Sequence, residues 1–117
     1  MRVTTEQLEK VGLGMQLAVF ETIWPAFDNL GRVFCDVNSD GQLSVLMEWS
    51  TTPSDQDQVD CERLMTEIVE VAFGPTAEAK FTSTTGTSAG SGRLLMSPSI
   101  FAEIASKHAP HRLKAGR

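Results

Sequence analysis

Apolar and polar positions alternate strictly through the middle of the first half of the chain. Val33, Cys35 and Val37 alternate with polar or mixed neighbours, and Leu43, Val45, Met47 and Trp49 resume the pattern after Asn38-Ser39-Asp40-Gly41. A period of two on both sides of a turn built from residues that tolerate positive φ predicts a β-hairpin with one apolar face. Ahead of it the period lengthens. Leu8, Val11, Met15, Ala18, Val19 and Thr22 recur at helical spacing, and Leu13, Leu17, Phe20, Trp24 and Phe27 form a second stripe. A helix apolar on two sides is expected to be sandwiched or to face a partner. Thr4 or Thr5 can cap it, with Glu6 and Glu9 in the first turn where the dipole favours acids. Pro25 is expected to kink the helix or restart it as a short segment that Gly31 ends.

The second half follows the same order. After a polar stretch over residues 50–58, a second helix is read from about Gln56 to Phe73, with Val59, Leu64, Met65, Ile68, Val69 and Ala72 on its core face and Gly74-Pro75 ending it. Two shorter strands, Ala79 to Thr84 and Arg93 to Ser97, flank the low-complexity linker Thr85–Gly92, which reads as mobile. Ser97-Pro98-Ser99 opens a last helix through about Lys107, with Ile100, Phe101, Ile104 and Ala105 facing in. The order α-β-β-α-β-β-α predicts an α+β fold: a four-stranded antiparallel sheet with helices packed on one face. Residues 1–109 form a single domain, and residues 110–117 a flexible C-terminal tail. The inner sheet face would carry the alternating apolar set, with Phe81, Leu94 and Met96 from the later strands. The outer face would carry Phe34, Leu46 and Leu95 among Asp36, Ser44, Glu48, Lys80, Thr82 and Arg93. Three large apolar groups there suggest a dimer or partner surface.

Charge changes this picture because it is unevenly spread. Residues 1–79 hold fourteen acids and four bases, a balance of −10, whereas residues 80–117 hold one acid and six bases, a balance of +5. An acidic body with a basic C-terminal edge argues against general nucleic-acid binding, which needs Lys and Arg to neutralise phosphates. It suits a basic protein partner, since opposite fields steer association. Asp55, Asp57, Asp60 and Glu62 cluster at the start of the second helix. Two acids would suffice to complement the helix terminus, and four are present.

Candidate chemistry subtracts more than it adds. Asp36, Asn38, Asp40 and Gly41 spell the opening of a calcium loop, but the twelfth position from Asp36 is Met47, where a bidentate carboxylate is required. The flanks are strand-like, so the turn reading holds and no metal is expected. The Gly86–Gly92 stretch lacks phosphate-loop spacing and its lysine. Asp36 and Glu48 are the one internal carboxylate pair that could face across the hairpin, and on an open sheet face they read as cross-strand polar surface. Cys35 and Cys61 read as buried structural thiols in a reducing compartment. With His108 and His111 confined to the C-terminal end, no nucleophile–base pair is evident. The expectation is a non-enzyme without cofactors. With no long apolar run behind a basic head, it is also expected to begin at Met1, stay off membranes and remain in the cytoplasm.

In size, acidity, α+β layout and want of catalytic residues, the whole chain resembles the small immunity proteins of bacterial toxin systems, including those of contact-dependent growth inhibition. The resemblance implies a cytoplasmic inhibitor that caps the active site of a cognate toxin domain, often a basic nuclease. Asp55, Asp57, Asp60, Glu62 and Glu48 would then bind the toxin's cationic cleft. An alternative is a homodimeric adaptor. Class I type III secretion chaperones are similar in acidity, size and an N-terminal helix ahead of strands, although they place three strands between their first two helices where two are read here. Such an adaptor would dimerise through the outer sheet face.

Overall fold

Thr4 begins the first helix, α1 (Thr5–Thr22), through a reciprocal cap: its hydroxyl accepts from the Gln7 amide, and the Gln7 side chain accepts from the Thr4 amide at 2.8 Å. The computed structural model describes residues 2–86 and 92–108. The helix stops at Ile23 and does not restart. Pro25 has no amide hydrogen to donate and disfavours helical geometry at Trp24, leaving a single turn in which Ala26 and Phe27 donate to the Ile23 carbonyl. The four residues left before the first strand are too few to nucleate a second helix. Gly31, expected as a helix terminator, instead lies inside β1 (Leu30–Val37) at a register shift between Leu30 and Arg32.

β1 turns at residues 38–42 into β2 (Leu43–Trp49), pairing antiparallel from Val37↔Leu43 to Arg32↔Glu48. The turn satisfies its own backbone. Asn38 Oδ1 accepts from the amides of Asp40 and Gln42, and the Gly41 amide donates to the Asn38 carbonyl. Gly41 takes φ +77°, and Arg2 packs within 2.9 Å of where a Cβ would stand, so glycine is required there twice over. Its carbonyl accepts from the Val3 amide, which ties the residues ahead of α1 to the turn. Asn38 and its neighbours thus serve as turn chemistry.

The sheet departs from expectation in one respect: it is mixed. Helix α2 (Asp55–Phe73), capped by Ser54 and ended at Gly74 with φ +98°, carries the chain ~28 Å back along the sheet. The next strand, β3 (Ala79–Thr85), therefore runs parallel to β2, in register from Leu43↔Ala79 to Trp49↔Thr85. A crossover over residues 50–78, 29 residues of which 19 are helical, favours this outcome, because antiparallel neighbours need only a tight turn. β4 (Leu94–Met96) pairs antiparallel with β1 on the other side, giving the order β3-β2-β1-β4. Gly92 approaches β1 so closely that a Cβ would lie 3.1 Å from the Cys35 carbonyl and 3.2 Å from its amide. Ser97 then caps α3 (Pro98–His108), with the Ile100 amide 3.4 Å from its hydroxyl.

The element order and the face assignments are as the sequence implies. Val33, Cys35, Leu43, Val45, Met47 and Met96 lie buried on the inner face, against Leu8, Met15 and Val19 of α1 and Cys61, Met65 and Val69 of α2. Trp49 closes one end of this core. Its indole is fully buried, stands edge-on to Phe27 at 5.8 Å between centroids, and donates to Ser83 Oγ at 3.2 Å. α3 packs against α1 with Ile100 and Ile104 half-buried, so α1 has a helix on each flank, and of its second stripe Leu13 is left 40% exposed. The linker residues 87–91, the side chains of Phe101 and Ala105, and the C-terminal tail over 110–117 lie outside the described residues.

Candidate protein-interaction surface

The α2 sequence carries six acids and one base, Arg63. Its spacing puts Cys61, Met65 and Val69 into the core and turns the charged residues outward, and Val59, expected on the core face, is 58% exposed because it sits two residues, about 200° of helical rotation, from Cys61. Asp55 and Asp57 occupy the first turn, where the helix dipole favours negative charge, and the Asp57 amide donates to Ser54 Oγ at 3.0 Å. Asp60 accepts from Gln56 Nε2 at 2.9 Å and lies 3.8 Å from Arg63, which also reaches Glu67 at 3.9 Å. Glu62, about two turns in, is half-buried. Asp55, Asp57, Asp60 and Glu62 therefore belong to one acidic helix start.

Glu48 does not join them. It projects from the outer face of β2, whereas α2 covers the inner face, where Cys61 Sγ donates to Met47 Sδ at 3.4 Å. Glu48 is 5% exposed and accepts from Arg32 Nε at 2.7 Å, and this carboxylate holds the Arg32 guanidinium's pKa above its ordinary value. The expected facing of Asp36 and Glu48 does not occur. Asp36 is opposite Ser44 and Glu48 is opposite Arg32, four residues or ~13 Å apart along the strands. Asp36 is instead 3.8 Å from Arg93, which also reaches Glu9 at 3.4 Å. No group of three His, Cys, Asp or Glu among the described residues could hold a metal ion.

On the outer face, Leu95, Phe34 and Leu46 form one cross-strand row, continued by Thr82. The row is more covered than an open-sheet reading suggests. Phe34 is 6% exposed, with the Arg32 guanidinium 5.0 Å from its ring centroid and Gly92 against its Cβ. Burial pushes both thiols up to about 12, Cys35 with added repulsion from Asp36 and Cys61 with added repulsion from Glu62 and then Asp57. Neither is a nucleophile near neutral pH.

No family model, curated protein or solved structure matches the chain. Its function is therefore argued from its own surface. Among the described residues, no helix is long and apolar enough to cross a membrane.

A groove of about 480 Å³ lies between α1 and α2 on that surface. Val11, Met15 and Ala18 form one wall and Leu64, Ile68 and Ala72 the other, with Lys10 and Glu67 at the lips. Val71, on the α2 side, is 90% exposed. Sequence reasoning assigned Val11 and Ile68 to the core and passed over Gly14, Val71 and Lys10. Two signals stood in the chain: a glycine inside a strong helical stripe, and a valine among the acids of the polar face.

Proposed function

We propose that the chain is a small acidic inhibitor of the immunity type, which binds a basic toxin domain and blocks its active site. The observation that carries this reading is the outward charge of α2, six acids against Arg63 alone. Such a surface raises the encounter rate with a cationic cleft and disfavours acidic partners. Asp55, Asp57, Asp60 and Glu62 are the contacts in this reading, while Glu48 acts within the fold by neutralising Arg32. The buried, protonated thiols are consistent with a binding role in which no residue of the chain reacts. The test is charge reversal: Asp57→Lys with Asp60→Lys slows association with the basic partner and flattens its salt dependence, while circular dichroism shows the variant still folded at the assay temperature. Unaltered association kinetics would remove α2 from the interface.

A second reading, a homodimeric adaptor, is favoured by the alignment of Leu95, Phe34 and Leu46 in one row of the outer face. Sedimentation separates the two. A monomer at micromolar concentration fits the inhibitor, and a dimer broken by Leu46→Glu fits the adaptor.

A further inference from the structure

The α1–α2 groove is held open by a residue that the fold itself does not need. Gly14 lies inside α1, where glycine weakens a helix, and a Cβ at that position would meet nothing within 4 Å. The gap it leaves runs alongside Val11, Met15 and Ala18, from Lys10 to Thr22, a span of ~18 Å or roughly three helical turns. Opposite are Ile68 and Ala72, with Val71 90% exposed and the Glu67 side chain 62% exposed. An apolar trough along the most acidic helix of the molecule matches one kind of occupant by shape and charge.

We propose that this groove docks a basic amphipathic helix of the partner protein. The partner's apolar stripe, spaced as i, i+4 and i+7, enters between the two helices, and its Lys or Arg flank runs along α2. A second copy of this chain is a poor occupant, because two acidic α2 helices would then face one another. The proposal rests on the reading of the chain as a binder of basic protein and adds the place where the apolar anchors of that interface sit.

The test uses 15N-labelled protein titrated with a short amphipathic peptide of Leu and Lys and with its Leu/Glu counterpart, each at low and high salt. The expected result is saturable shifting of the Gly14, Ala18, Ile68 and Val71 amides by the Leu/Lys peptide, weaker at high salt and absent with the Leu/Glu peptide. Gly14→Leu, which fills the trough, is expected to weaken binding by ~10-fold or more, the loss typical of a central anchor. Val71→Lys, at an exposed site, does the same by repulsion and serves as the second variant should Gly14→Leu fold poorly. Leu/Lys shifts confined to the start of α2 or to the outer sheet face would overturn the groove and leave the basic-partner reading standing. Equal binding of both peptides in the groove would overturn the charge selectivity and that reading with it. No shift at millimolar peptide would overturn the docking site.

Discussion

Arg32 and Glu48 meet across the β1–β2 ladder at 2.7 Å, with the carboxylate almost wholly out of water and the guanidinium resting over Phe34. One contact thus joins charge neutralisation to the covering of an aromatic ring on the outer sheet face. Arg32→Met is expected to lower the melting temperature by leaving Glu48 enclosed without its cation, whereas Arg32→Met with Glu48→Leu recovers most of the loss. Thermal unfolding followed by circular dichroism measures both. Equal melting temperatures for Arg32→Met and the unmodified protein would mean that Glu48 does not depend on this pair.

Trp49 is the second structural prediction. Trp49→Ala opens a cavity at the end of the core and is expected to cost ~3–5 kcal/mol in urea unfolding. That is a large share of the ~5–15 kcal/mol typical of a domain. Ser83→Ala removes only the acceptor of the indole hydrogen bond and costs ~1–2 kcal/mol. If the two variants unfold at the same urea concentration, the indole packing contributes little.

The thiols make a pH prediction. Cys35 and Cys61 ionise at about 12 in the folded protein, against an ordinary value of 9.0, because burial disfavours the thiolate. Below pH 9 both states keep their protons and the contribution is intact. Between pH 9 and about 12 the unfolded chain ionises while the folded one does not, so stability falls as pH rises, by up to ~1.4 kcal/mol per unit per thiol. Urea midpoints at pH 8 and pH 10 compared with those of Cys61→Ala check this. The variant is expected to lose less stability over that interval, and an identical loss would contradict it. Thiol-specific reagents should likewise react slowly at pH 8 until the protein is unfolded.

Glycine substitutions separate the positions that need glycine from the one that does not. Gly14→Ala is expected to stabilise the protein by ~0.5–1 kcal/mol, since nothing stands where its methyl would go. Gly41→Ala and Gly92→Ala are expected to destabilise it, the first through positive φ and the Arg2 contact, the second through the β1 backbone. Loss of stability in Gly14→Ala would show that the groove is tighter than described.

Much of this architecture was legible because it is written in local patterns. Gly74 ends α2 as its position in the sequence implies, and the alternation from Val33 to Trp49 assigns sheet faces residue by residue. Strand direction was not legible, since a period of two reports which face a side chain takes and nothing about which way the strand runs. The parallel pairing of β2 and β3 comes from the length of the helix between them. The fate of Gly31 was hidden for a related reason, because a glycine after a proline-broken helix can end a helix or ease a bulge. Of the candidate surface, the acids of α2 stood plainly in the sequence. The partnership of Glu48 with Arg32 depends on register, and the groove on how two helices lie side by side, so neither could be read from spacing.

The central claim is that a basic protein is bound and silenced. Its most direct measurement is capture of the tagged chain from its native cells at low salt, followed by titration of the recovered partner's activity with purified protein. The expected result is one stoichiometric basic partner whose activity falls linearly and vanishes at equimolar ratio. Recovery of the chain alone, or of a partner whose activity is untouched, would contradict it.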